Sequence, residues 1–314
     1  MLRVKPGEGN NLMRKYVIPN IRLGATSFLL HETYVPAVRF AAERCDDVAL
    51  LLVEPGERNE YLATPGEIAE IGRIIAGERA TLHVHLPTDA DFDTWEGARS
   101  MIGKIRRVAE LTGPLDPHSF VLHVDFPSLH GTGGEPSAEQ QEWTAEALRE
   151  IAACLPAPER LAVENLETYA PSFWDRWLAG TPYSRCLDVG HIWKDGGDPA
   201  PVLAAWLPRV RVIHLHGLEP RGSEADAAKP QGQQNAPEKL AERNLSRLFG
   251  PRPRDHKSLR LMPPEFVDDV MHPLWKTGFP GVLNLEVFSV EGFTASYAVL
   301  MQSWERYAAS SYGK

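Results

Sequence analysis

The sequence predicts an α/β chain folded as a (β/α)8 TIM barrel, with a long lid-like loop after the seventh strand. Three observations lead there. Eight short apolar runs recur along the 314 residues, each rich in Val, Ile and Leu as expected of a parallel strand buried on both faces. Between them lie segments with apolar residues at three- and four-residue steps, the period of an amphipathic helix. An open doubly wound sheet usually carries a Gly-rich phosphate loop after its first strand, and GATSF is not one.

The strands are expected at 21–28, 48–54, 80–86, 119–125, 160–166, 185–190, 210–217 and 282–289. Helical periodicity covers 34–44, 64–77, 94–112, 137–154, 171–179, 199–207 and 264–276, and a last amphipathic helix starts at Val290. Thr64 followed by Pro65 reads as an N-cap with proline at the first helical position. One connection is anomalous. Residues 218–262, forty-five in number, hold nine Lys/Arg against six Asp/Glu, a net of +3 on a chain whose total is −9. Loops beyond about 15 residues are uncommon unless functional or disordered. This one follows a strand, so it sits on the active face of a barrel. It is expected to be a basic lid over an anionic ligand, with a short helix over 240–249. Residues 1–20 are expected to form a flexible arm, and 21–309 a single catalytic domain.

Bulk properties narrow the function. The acidic balance argues against non-specific nucleic-acid binding, which needs a basic footprint. Cys45, Cys154 and Cys186 are widely spaced and make no C-x-x-C pair, which suits a reducing cytoplasm. No apolar run approaches the roughly 18 residues of a membrane span, and the first twenty residues lack the apolar core of a secretory signal. A cytoplasmic location is the expectation.

The chemistry lies at the strand ends. His83 and His85 sit in ATLHVHLP, His123 in SFVLHVD, Glu164 in RLAVENL, Asp188 and His191 in RCLDVGH, His214 and His216 in VRVIHLH, and Glu286 in VLNLEVF. If the strands close, these ends converge. With His256, seven of the eleven histidines then surround one pocket. Residues two apart share a face of a strand, so His83 and His85 point the same way, with His85 nearer the exit as the ligand and His83 deeper as a hydrogen-bonding partner. His214 lies on its strand proper, and His216 is expected at the rim, touching substrate. A lone strand histidine is more often a satisfied core residue than a ligand, but that reading would have to hold at six strand ends at once. Imidazoles mixed with carboxylates favour zinc, with manganese or iron as further candidates, over an all-oxygen magnesium or calcium site. A central carboxylate, Glu164 or Glu286, can bridge two ions, the arrangement that suits phosphoester hydrolysis. Trp193, Trp95 and Phe126, close after strand ends, are candidates to pack on a bulky ligand. His31, His118, His130 and His272 fall outside the constellation.

These motifs resemble the xylose-isomerase-like barrels, which include the metal-dependent nucleases of the endonuclease IV type. The resemblance spans residues 21 to 307. It implies a metal-ligand set of His85, His123, Glu164, Asp188, His191, His214, His256 and Glu286, holding two or more divalent ions. His256, in RDHKSL, is similar to the histidine of the Asp-x-His-x-Ser-Leu loop, but Arg254 stands where the aspartate is expected and Asp255 comes one residue late. Together HVHLP, CLDVGH, VIHLHG, DHKSL and LEVFS most resemble the cobamide-remodelling phosphodiesterases (the CbiR type). That likeness implies hydrolysis of the phosphodiester between a corrinoid's phosphate and the ribose of its nucleotide loop. It makes Glu164, His191, His256 and Arg254 the catalytic candidates, and His216, Trp193, Asn165 and Lys257 the substrate-binding ones. A sugar isomerase or epimerase of the same barrel type is the alternative; it uses a Glu, Asp, His, Glu set around one ion and has no need of His85, His123 and His256. A binding protein with a degenerate site is the third.

Overall fold

The computed structural model describes residues 15–52, 62–221, 248–249 and 253–312. Eight parallel strands close into a barrel: β1 (Arg22–Thr26), β2 (Asp47–Leu51), β3 (Thr81–His85), β4 (Phe120–His123), β5 (Leu161–Glu164), β6 (Ser184–Asp188), β7 (Val210–Leu215) and β10 (Val282–Leu285). The circle shuts where β10 pairs with β1, in register from Arg22 opposite Val282 to Ala25 opposite Leu285. Two further strands, β8 (Gly217–Glu219) and β9 (Arg254–Lys257), pair antiparallel and form a ribbon beside the barrel mouth. This ribbon is the described base of the expected lid. Residues 222–247 and 250–252, which carry the lid's middle and most of its expected helix, lie outside the described residues, as do 1–14 and the last residues of the second expected strand.

The helices are α1 (Tyr34–Ala42), α2 (Pro65–Glu78), α3 (Trp95–Thr112), α4 (Ala138–Ala153), α5 (Asp175–Leu178), α6 (Val189–Lys194), α7 (Pro199–Trp206), α8 (Pro264–Thr277) and α9 (Val290–Tyr312). Local sequence starts several of them. Thr64 and Glu67 form a capping box at α2, and Ser137 and Gln140 another at α4, each satisfying two N–H groups that a bare helix end would leave open. No described helix is long and apolar enough to cross a membrane.

Strand alternation divides the core. Outward residues such as Leu122, Val163, Leu187 and Ile213 join the large cluster packed under the helices. Inward residues Val121, Ala162, Cys186 and Val212 form a small separate cluster that fills the waist of the barrel. Below the waist lies a polar floor. Asp47, fully buried, accepts from Thr81 and is bonded to the rings of His83 at 2.5 Å and His118 at 2.9 Å, with Arg22 3.6 Å away. His83 therefore faces inward but bonds downward, and His118 belongs to the floor rather than to a loop surface. Residues 15–20, expected as the end of a flexible arm, are tied down. The Lys15 ammonium donates to the Glu78 carbonyl at 2.7 Å, Tyr16 packs edge-on against Phe293 and Tyr297, and Ile18 is buried.

Burial opposes ionisation of Asp47, yet the His83 and His118 rings hold its pKa well below the ordinary carboxylate range. A carboxylate depressed on folding stabilises the fold above its unfolded pKa of about 4 and loses that contribution as pH falls towards the folded value. Asp47→Ala leaves two imidazoles and Arg22 without their partner and should lower the unfolding free energy by about 3–5 kcal/mol. Urea midpoints measure the loss. The same titration repeated below pH 4 should show a steep fall for the native chain and a shallower one for Asp47→Asn.

Candidate metal centre

The predicted ligands meet at the C-terminal mouth of the barrel because register aligns them. His123 pairs with Glu164 across β4 and β5, and Asp188 with His214 across β6 and β7. Glu286 follows β10 directly, its N–H donating to the Leu215 carbonyl at 3.1 Å. Glu164, at 1% exposure, is the hub. Its Oε2 lies 3.0 Å from His123 Nε2 and 3.3 Å from His85 Nε2, while its Oε1 lies 2.9 Å from His214 Nδ1. The same His214 nitrogen is 3.0 Å from Glu286 Oε2 and 4.0 Å from Asp188 Oδ2. One carboxylate thus faces two imidazoles with one oxygen and a third with the other.

A second group of imidazoles, His191, His216 and His256, gathers on the other side of Asp188. Asp188 caps α6 by accepting the His191 N–H at 2.7 Å, and its Oδ1 is 3.4 Å from His216 Nε2. His191 Nε2 lies 3.4 Å from Glu167 Oε2.

The donor set fits divalent ions on two counts. First, ring orientations suit ligation: the Nδ1–H of His85 donates to the Leu86 carbonyl at 2.9 Å and that of His191 to the Asn165 carbonyl at 3.0 Å, which turns each Nε2 towards carboxylates in the pocket. Second, Asp188 Oδ2, on the side of Asp188 that faces His214, is buried without a hydrogen-bond partner. Buried polar atoms are rarely left so unless something absent from the protein satisfies them.

Electrostatics agree with a site built for cations. Burial opposes the Glu164 carboxylate, but His214 and His123 hold its pKa well below the usual range; Glu286 is likewise lowered by His214 against the opposing effect of burial. Burial also opposes a charged His191, but Asp188, Glu167 and Glu164 outweigh it and push its pKa up to about 9. Carboxylates this buried are ionised only because cationic partners surround them.

The cavity above the centre has a volume of about 620 Å³. One wall is apolar, with Phe28, Ala49, Leu51 and Phe288; the opposite wall carries Asp125, His130, Glu167 and Thr168. Phe288 stacks on His256 at 4.7 Å, and His256 on His216 at 4.4 Å.

Several expectations are corrected here. His216 is not a rim residue. It is buried, its Nδ1 accepts the His256 N–H at 3.0 Å, and its Nε2 edge faces Asp188, so it holds other residues rather than substrate. Asn165 faces away from the cavity and ties β5 to β6 by bonding the backbone of Asp188 at both N–H and carbonyl, at 2.9 and 2.8 Å. Trp193 lies two residues past His191 on a helical turn, which rotates it to the far side, where it is buried against Phe266. Phe126 is buried among Phe92, Phe173 and Trp177, and Trp95 sits beside Arg99. Arg254 and Lys257 are drawn outwards to Glu219, at 3.8 and 3.5 Å, in a separate surface cleft. Strict alternation on β9 would have kept Arg254 on the face of His256. The left-handed backbone of His256 (φ 52°) breaks that alternation, so Asp255 and His256 both line the cavity.

Other pocket residues were missed, though period two marked some of them. Asp125 follows His123 by two and Phe288 follows Glu286 by two. Glu167, three past Glu164, and the loop residues His31 and His130 carried no such signal. His130, set aside as an ordinary loop residue, bonds Asp125 at 2.7 Å on the cavity wall.

Neither a protein-family model nor a curated protein matches the chain. Solved structures share its fold. A D-tagatose 3-epimerase-like protein superposes with a TM-score of 0.63 at 17% identity, over 92% of this chain and 99% of that one. A xylose isomerase domain protein from Planctomyces limnophilus gives 0.61 at 13%, over 92% and 98%. The probable 3-DHS dehydratase AsbF from Bacillus anthracis gives 0.58 at 13%, over 90% and 98%. At such identities the likeness carries the architecture alone.

Gly190 is required by the ring stack. A Cβ there would lie 2.0 Å from the His216 ring. Gly190→Ala should therefore displace His216, and with it the support of Asp188 and His256. A destabilisation of about 1–3 kcal/mol, the usual cost of overpacking, is expected by calorimetry in the presence of chelator.

Proposed function

We propose that the chain is a metal-dependent phosphodiesterase, and that its substrate is the nucleotide loop of a cobamide. The observation that carries the reaction class is the placement of Glu164, with one oxygen facing His85 and His123 and the other facing His214. A single ion held by Glu164, Asp188, His214 and Glu286 has no use for His85 and His123 beside it. The cobamide assignment rests on the resemblance of HVHLP, CLDVGH, VIHLHG, DHKSL and LEVFS, and on a cavity with one apolar and one polar wall. Such walls suit a base joined to a ribose, with the macrocycle left outside the mouth.

His85, His123 and Glu164 would hold one ion, and Glu164, Asp188, His214 and Glu286 a second. When bound, such ions polarise phosphoryl oxygens and acidify water. The chain's own part is positional and protonic. Glu164 and Glu286 stand where an attacking water must lose its proton. The phosphorus–ribose oxygen bond breaks as the new phosphorus–oxygen bond forms. His256, held between Phe288 and His216, is placed to give the leaving oxygen its proton. The products are cobinamide phosphate and an α-riboside. Arg254 and Lys257, expected to neutralise phosphate, point elsewhere and have no part in this scheme.

A sugar epimerase or isomerase is the second reading. It is favoured by the names of the fold neighbours, which also include an L-ribulose 3-epimerase, and by the Glu164, Asp188, His214, Glu286 quartet, which suffices for one ion.

Elemental analysis separates the two: two or more ions per chain are expected for the phosphodiesterase, one for the epimerase. Incubation with a cobamide should release cobinamide phosphate by mass spectrometry, and exhaustive chelation should stop it until metal is restored. Turnover undiminished by chelation would refute the assignment. Glu164→Gln should lower turnover by more than the roughly 10–100-fold lost on disturbing residues behind a metal ligand, with an unchanged fold by circular dichroism.

A further inference from the structure

Two of the residues that line the cavity hold backbones that side-chain-bearing residues rarely adopt: Thr168 at φ 73° and His256 at φ 52°. For a β-branched threonine this conformation is strained and persists only where the surroundings enforce it. Both are enforced from one place, the C-terminal end of α6. The Lys194 ammonium donates to Glu167 Oε1 at 2.8 Å, beside Thr168, and to Asp255 Oδ2, beside His256. The neighbouring Asp195 accepts the Thr168 N–H at 2.6 Å. Glu167 in turn lies 3.4 Å from His191, and Asp255 Oδ1 lies 3.2 Å from His256 Nδ1.

We infer that Lys194 and Asp195 form a clasp that locks the Glu167–Thr168 loop and strand β9 together, and that this clasp positions His191 and His256 over the centre. Lys194 is a positioning residue: it touches neither the cavity nor a candidate ligand, and acts through two carboxylates that do. It joins segments 61 residues apart in sequence, Lys194 and Asp255, so neither can shift alone. The clasp itself depends only on these contacts; its bearing on bound ions rests on the reading of the pocket proposed above.

Hydrogen exchange on the chelated full-length chain tests the clasp without any metal. Lys194→Met should speed exchange at 167–169 and at 255–257 together, by roughly tenfold or more, while the strands of the barrel keep their protection. Lys194→Arg, which retains several donors, should restore most of it. Asp255→Asn removes one arm and should free 255–257 alone, a check that survives if Lys194→Met unfolds. Acceleration at only one segment in Lys194→Met, or at neither, overturns the clasp. Zinc competition against a chromophoric chelator then tests its consequence: the most weakly held ion of the native chain should bind about 10–100-fold more weakly in Lys194→Met. Freed segments with unchanged zinc affinity would overturn the positioning role. A native chain that takes up no zinc would instead overturn the phosphodiesterase reading, leaving the exchange result to decide the clasp.

Discussion

A carboxylate sealed inside a protein cannot stay ionised unless positive charge stands beside it. Glu164 is such a group, and much of this barrel's mouth is arranged around it. Three imidazoles from β3, β4 and β7 converge on its two oxygens, and β7 lies far along the chain from the other two. The closed circle of strands makes the convergence possible, because parallel register places every strand end at the same height. An open sheet would spread the same residues along a line. The fold is therefore the premise of the chemistry, although solved structures with this fold carry out different reactions, and the reaction must be argued from the site itself.

Layering explains how such a polar mouth coexists with a stable interior. Small apolar side chains fill the waist, from Val121 round to Val212, and separate the ligands from a second polar layer around Asp47. His83 and His85, two residues apart on one strand, show the division: the first bonds down to Asp47 and the second up to Glu164. Each layer closes most of its hydrogen bonds within itself. Atoms left without a partner occur in both layers: His83 Nε2 in the floor, and Asp188 Oδ2 and His216 Nε2 at the mouth.

Much of this was legible in the sequence because strand ends leave a strong local trace: an apolar run, then a ligand, then a break. Period two separated His83 from His85 and would have found Asp125 and Phe288. What the sequence could not convey was direction wherever the chain leaves regular structure. Trp193 and His191 are both in a six-residue helix, and only the helical rotation decides that one is buried against Phe266 and the other faces the pocket. His216 looked like a rim residue, yet the ribbon of β8 and β9 covers it. Arg254 was expected to replace a missing aspartate in the site; the left-handed turn at His256 brings Asp255 inwards instead and sends Arg254 to Glu219. A backbone angle of that kind leaves no mark in residue type when the residue is not glycine.

The filled waist and the bonded floor beneath it have a kinetic corollary. A barrel plugged below its reactive layer is a cup, not a tube. Among the described residues, the cavity is lined near its mouth by Phe288 and His130, and whatever reaches the centre enters from that side. Whatever occupies that side shields the centre, so a bound molecule that leaves slowly would keep chelators out as effectively as it blocks the next molecule from arriving.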